Sequence, residues 1–178
     1  MRVYVTEISS WEEAKLAIKS GASAIGIRIG YKKGDVHPEK AREIFLQVPL
    51  FVSRVGIFAN EKRYHIQEIT TFCQLNCLHF WGNEIPEDTK RYNEHKIKTF
   101  SIDDFHNIES YTIEAASIVL KDMDSVNKIK YLPEKLLIIN GDFTFPEWKI
   151  LIDKLEPYAV QISQSNINTE LIQMLVKY

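Results

Sequence analysis

The sequence predicts an α/β fold in which eight parallel strands alternate with helices and close into a compact (β/α)8 barrel with short loops. Two observations carry this reading. Runs of strand length, rich in β-branched residues, alternate along the chain with stretches of helical periodicity. Strict alternation calls for a parallel sheet with helical crossovers, and eight units favour closure. A third observation removes a competitor: no glycine fingerprint follows the first strand, so a dinucleotide-binding sheet has little support. An open doubly wound sheet is the alternative architecture. The 178 residues, 45% of them hydrophobic, suffice for one domain spanning 1–178 and are too few for two. Barrels of this kind typically run to about 250 residues, which is why the loops must be short.

The first strand covers residues 2–6. Ser10 and Glu13 then form a capping box, and Trp11, Ala14 and Ile18 share one helical face that ends at Gly21. A second strand is expected at 24–29. Pro38 opens the next helix, where its missing N–H is harmless, and Ala41, Ile44, Phe45 and Val48 follow at i, i+3, i+4, i+7. A third strand at 51–58 leads to a helix carrying Ile66, Ile69, Thr70 and Cys73. After a short strand at 77–81, a polar helix starts near Pro86. Further strands are expected at 96–100, 117–120, 136–139 and 159–162. Residues 103–111 form a helix candidate, whereas DSVNKIKYLPE at 124–134 has no periodicity. Trp148, Leu151, Ile152 and Leu155 make a stripe on the seventh helix, and the last helix is expected to bury Leu171, Met174 and Leu175.

Composition narrows the function classes. The net charge is −2 with both signs interspersed, so no basic block points to nucleic acid. The longest apolar runs are of strand length, far below the roughly 20 residues of a membrane span. The N-terminal stretch reads as a strand and lacks the apolar core of a signal peptide. Two cysteines make a disulfide framework improbable, and a reducing cytoplasm is the simplest location. Cys73 and Cys77 read as buried apolar residues, so no metal is expected. No motif calls for a cofactor.

Five segments occur in order at a family's spacing: GASAIGI at 21–27, HPEKAREI at 37–44, VGIFAN at 55–60, QLNCLHFWGNE at 74–84 and AVQIS at 159–163. Together they resemble the phosphoribosylanthranilate isomerase family of tryptophan biosynthesis, closely over the first half of the chain and in patches after it. The resemblance implies a TIM barrel with its site at the C-terminal ends of the strands. It also implies isomerisation of a phosphoribosyl-amine by a cysteine base after the first strand and an aspartic acid after the sixth, with glycine-rich turns late in the barrel holding phosphate. At those catalytic positions this sequence has Thr6, followed by Glu7, and Lys121, followed by Asp122. A threonine hydroxyl is a far weaker base than a thiolate. The late glycine turns become 124–134, Gly141–Asp142, and Ser163, Gln164, Ser165 and Asn166. The family's arginine loop becomes YKKGD at 31–35, where Lys32 or Lys33 is the stand-in phosphate contact. Its glutamine and histidine on the fourth strand become His79 and Trp81.

Period-two alternation directs Tyr4, Thr6, Arg28, His79, Trp81, Lys98, Lys121, Asn140 and Gln161 into the barrel. Arg28, Lys98 and Lys121 are cations, and buried cations demand partners. Paired with Glu7, Asp122 or Asp142, they would plug the barrel. Left free, they would clamp a small anion, with Trp81 as a stacking wall. The candidate ligand contacts are therefore Glu7, Arg28, Lys32, His79, Trp81, Asn140, Gly141, Gln161 and Ser163. His79 reads first as a satisfied core histidine. Three functions remain open: a relative with substituted catalytic positions that binds a small anionic or phosphorylated metabolite, a working isomerase, and a non-catalytic module with a plugged barrel. The residues do not fix the oligomeric state.

Overall fold

The computed structural model describes residues 1–129, 132–166 and 168–178, the side chain of Asn166 excepted. Lys130 and Tyr131 of the aperiodic stretch, and that side chain, lie outside the described residues. The strands are β1 (Arg2–Thr6), β2 (Ala24–Arg28), β3 (Ser53–Phe58), β4 (Cys77–Phe80), β5 (His95–Phe100), β6 (Ala115–Val119), β7 (Leu136–Asn140) and β8 (Ala159–Ser163). They pair in parallel, each with its sequence neighbour, and β1 closes on β8 from Arg2↔Ala159 to Thr6↔Ser163. The barrel expected from the sequence is thus the fold observed.

The helices are α1 (Trp11–Ser20), α2 (Pro38–Phe45), α3 (Arg63–Phe72), α4 (Pro86–Thr89), α5 (Phe145–Leu155) and α6 (Thr169–Lys177). Before α1, Ser10 Oγ accepts from the Glu13 amide at 3.3 Å, and Glu13 Oε2 accepts from the Ser10 amide at 3.1 Å. Gly21 ends α1 at φ 108°, a left-handed conformation that glycine adopts without a Cβ penalty. After β5 and β6 the connections are single 3-10 segments, Phe105–Ser110 and Met123–Lys128. Phe105 and Ile108, three residues apart, face the barrel from the first of these and are buried.

Alternation sorts each strand into two faces. Val3, Val5, Ile25, Ile27, Phe80, Ile118, Ile139 and Val160 pack outward against Ala14, Ala17, Phe45, Ile69, Trp148 and Leu151 of the helices. Each fully buried large side chain contributes about 1.5–3 kcal/mol by removal from water. Tyr4, Val55, Cys77, Ile97, Ala115, Ile138 and Ala159 form a separate cluster at the N-terminal end of the lumen.

Three local expectations are corrected. β3 begins at Ser53, because residues 49–52 form a turn in which the Val52 amide donates to Pro49 O at 3.1 Å. β6 begins at Ala115, where Ala115 and Ala116 pair with Ile97 and Lys98. In α6 the buried face is Ile172 and Leu175, so Met174 is exposed. Among the described residues, no helix is long and apolar enough to cross a membrane.

Candidate functional site

The lumen beneath the mouth is filled by side chains that hydrogen-bond one another, Gln161 Nε2 alone among these groups being buried without a partner. Tyr4 Oη lies 3.0 Å from His79 Nδ1, and His79 Nε2 lies 2.7 Å from Thr99 Oγ1. One ring nitrogen donates and the other accepts, so both are used by a neutral imidazole. Burial, followed by the nearby Lys98 cation, pushes the His79 pKa down to about 3. Trp81 stacks above His79, with ring centroids 5.7 Å apart and planes at 13°. Across the lumen, Ser117 Oγ donates to Gln161 Oε1 at 2.8 Å.

The cations find partners, but not those expected. Ile97 and Thr99 are the inward residues of β5, facing Cys77 and His79, so Lys98 lies on the outer face of the sheet. There its ammonium donates to Gly82 O at 2.6 Å and Thr99 O at 3.0 Å, and stands 3.5 Å from Glu84 Oε2. Burial outweighs the attraction of Glu84 and holds the Lys98 pKa below its ordinary value. Glu84 Oε1 in turn accepts from the Asn60 amide at 2.7 Å, tying the loop after β4 to the loop after β3. Arg28 pairs with Asp35 at 2.7 Å. Lys32 donates to Ala59 O at 3.2 Å and pairs with Glu61 at 3.1 Å, which commits it within the protein. Asp35, Glu61 and Glu84 all lie in loops after strands, where strand alternation gives no signal.

Around the rim, Thr6 is buried at the end of β1, and its hydroxyl donates to Ile162 O at 3.4 Å. Glu7 follows at φ 61°, a left-handed conformation that is uncommon for a non-glycine residue. Ser163 Oγ hydrogen-bonds the Glu7 carboxylate and lies 2.8 Å from Ser165 Oγ. Asn140 ends β7 half-buried, paired in register with Gln161. Gly141 follows it, where a Cβ would overlap the Phe143 ring and lie 3.0 Å from Leu120 O. Lys121 is exposed after β6. Asp122, also exposed, accepts from the amide and the hydroxyl of Ser125, both at 2.7 Å. Those hydrogen bonds hold its carboxyl below the ordinary pKa.

A cleft of about 610 Å³ opens between the loops after β4, β5 and β6. Trp81, Phe100, Tyr111 and Val119 give it apolar walls, and its charged lining holds Lys98, Lys121 and Lys128 together with Glu84, Asp103, Asp104 and Asp122. The structure therefore brings Trp81, Lys121 and Asp122 together. Thr6, Glu7, Arg28, Lys32, His79, Asn140, Gly141, Gln161 and Ser163 are not in its lining. Tyr111, Ser125 and Lys128 were not singled out from the sequence. The one available signal was Asp122 three residues before Ser125, the spacing of a side-chain cap. Among the described residues, no three His, Cys, Asp or Glu side chains are grouped to hold a metal. Burial pushes the thiols of Cys73 and Cys77 up to about 11 and about 12, so neither offers a thiolate near neutral pH.

No family model matches the chain. It is similar to the N-(5'-phosphoribosyl)anthranilate isomerase of Moorella thermoacetica, 34% identical over 110 residues, which are 62% of this chain and 49% of that one. This match thus spans about half the length of the relative. The enzyme of the same name from Thermotoga petrophila is 28% identical over 180 residues, 92% of this chain and 87% of its own. A solved phosphoribosylanthranilate isomerase in complex with reduced 1-(o-carboxyphenylamino)-1-deoxyribulose 5-phosphate superposes with a TM-score of 0.80 at 24% identity, covering 99% of this chain and 97% of that one. The structure from Thermus thermophilus gives 0.80 at 21% identity with the same coverage. The resemblance found in five segments of sequence therefore extends to the whole barrel.

Proposed function

We propose that this chain, a relative of the phosphoribosylanthranilate isomerases, keeps their barrel without their acid–base step and binds a small anion at its mouth. The observation that carries the reading is Thr6. At the position where the resemblance puts the base, the side chain is a buried hydroxyl whose proton is directed at Ile162 O. A hydroxyl is far less acidic than a thiol, so Thr6 supplies no anionic base near neutral pH. At the acid position stands Lys121, and the adjacent Asp122 is held ionised by Ser125, which disfavours its giving a proton. Glu7 sets a carboxylate against Ser163 at the end of β8, where the resemblance puts phosphate, and a like charge repels it.

The cleft beside Trp81 is where a ligand has room. Lys98 is committed to Glu84, whereas Lys121 and Lys128 have no ion-pair partner among the described residues. With Trp81, Phe100 and Tyr111 in the same lining, a small anion carrying a flat apolar group would bind at these two lysines, clear of the carboxylates of Asp103, Asp104 and Asp122.

Two measurements test this. A strain lacking the isomerase, supplied with this gene, is expected not to grow without tryptophan; growth would overturn the loss of chemistry. Anthranilate, an aromatic carboxylate, is expected to raise the thermal midpoint, because saturation at 100 times Kd adds about 2.7 kcal/mol. Replacing Lys121 and Lys128 by Met should abolish that rise. No shift with anthranilate, benzoate or inorganic phosphate would overturn the binding reading and leave a barrel that serves as a scaffold.

A further inference from the structure

We propose that Thr99 is a specificity-determining contact of the mouth cleft, its hydroxyl proton held free for a carboxylate or phosphate oxygen by the buried Tyr4–His79 pair behind it. This role rests on the reading of the cleft as an anion site, and it adds the group that tells an acceptor oxygen from other ligand atoms. Thr99 is half-buried on the inward face of β5 and belongs to two environments at once. It lines the cleft together with Trp81, and its Oγ1 lies 2.7 Å from His79 Nε2. His79 Nδ1 in turn lies 3.0 Å from Tyr4 Oη. Tyr4 and His79 are both buried, and of the three side chains Thr99 is the one that reaches the cleft.

The direction of these hydrogen bonds follows from where the protons can go. A neutral imidazole carries one N–H, and burial keeps the His79 ring neutral. With that proton on Nδ1, the ring would donate to Tyr4 Oη, and the phenol proton would have no acceptor among the described residues in the interior of the barrel. A buried donor left unpaired is costly and rare. The other tautomer pairs every buried proton: Tyr4 O–H donates to Nδ1, and Nε2–H donates to Thr99 Oγ1. Trp81, stacked on the ring, holds its plane. The Thr99 hydroxyl then accepts from the ring and has no acceptor for its own proton among the described residues, so that proton is free on the cleft side. A hydroxyl held as a donor matches an oxygen that carries no proton, and a charged acceptor strengthens the hydrogen bond. Lys121 and Lys128, exposed in the same lining, attract the anion as point charges, whereas Thr99, on a strand of the barrel, fixes where one of its oxygens sits.

The experiment joins two readouts on the whole chain. Nitrogen NMR of the histidine-labelled parent, without ligand, is expected to show the His79 ring neutral with its proton on Nε2. Benzoate affinity is measured by titration calorimetry on the parent, Thr99→Val and Thr99→Ser, with circular dichroism to show each chain folded. Thr99→Val removes the hydroxyl and is expected to weaken benzoate binding about 10- to 100-fold, the range for a hydrogen bond to a charged group. Thr99→Ser is expected to recover most of that loss. A proton on Nδ1 overturns the proposal whether or not benzoate binds, and this readout depends on no variant folding. Thr99→Val binding benzoate as tightly as the parent, while Lys121→Met weakens it, also overturns the proposal and leaves the anion site standing. A parent that binds neither benzoate nor inorganic phosphate overturns both, because the cleft then takes no anion.

Discussion

Replacing His79 by Gln should remove a specific part of the protein's sensitivity to acid. Gln keeps donor and acceptor groups for Tyr4 and Thr99 but does not titrate in this range. In the folded state burial pushes the His79 pKa down to about 3, against an ordinary value of about 6.5 when unfolded. Between those values the unfolded chain binds a proton that the folded chain refuses. The neutral ring's contribution is therefore fully present above about pH 6.5 and is lost as pH falls toward 3. From pH 7 to 4.5 the loss assigned to this one group is about 2.5 kcal/mol. Urea unfolding at both pH values, on the parent and on the Gln variant, isolates it, because every other titrating group is common to both chains. The parent should lose about 2.5 kcal/mol more than the variant over that interval. Equal losses would refute the reasoning and mean that the imidazole charges inside the folded barrel.

Two further substitutions probe the walls of the mouth. Lys98→Met leaves Glu84 buried without its cation, both side chains being within 6% of full burial. That should cost about 3–5 kcal/mol, and adding Glu84→Gln should recover a substantial part, both read by urea unfolding. Gly141→Ala drives a methyl into Phe143, which itself packs edge-to-face on Trp148 at 5.2 Å. An overpacking loss of about 1–3 kcal/mol is expected, seen as a lower thermal midpoint.

The order of elements was legible because each unit carries its own signal. Ser10 and Glu13 announce a helix start, Gly21 a stop, and Pro38 another start, and these depend on backbone groups a few residues away. Phe51 was misread because the apolar run entering β3 looks continuous, while the turn at 49–52 is marked only by Pro49. Lys98 was misread for a different reason. A strand's inward face depends on register, and a one-residue slip exchanges the two faces. That register comes from pairing with β4 and β6, which no local window contains.

By itself, then, the sequence determined the eightfold alternation and the caps and stripes that build it, because short-range periodicity and local capping encode these, while the resemblance rests on the residue identities of five segments. The tertiary structure decided which charges meet. Asp35, Glu61 and Glu84 reach Arg28, Lys32 and Lys98 from loops. It also decided that the cleft lies between the loops after β4, β5 and β6, away from Thr6. Electrostatic pairing and open volume depend on distances between residues far apart in the chain, and only closure of the barrel sets those distances.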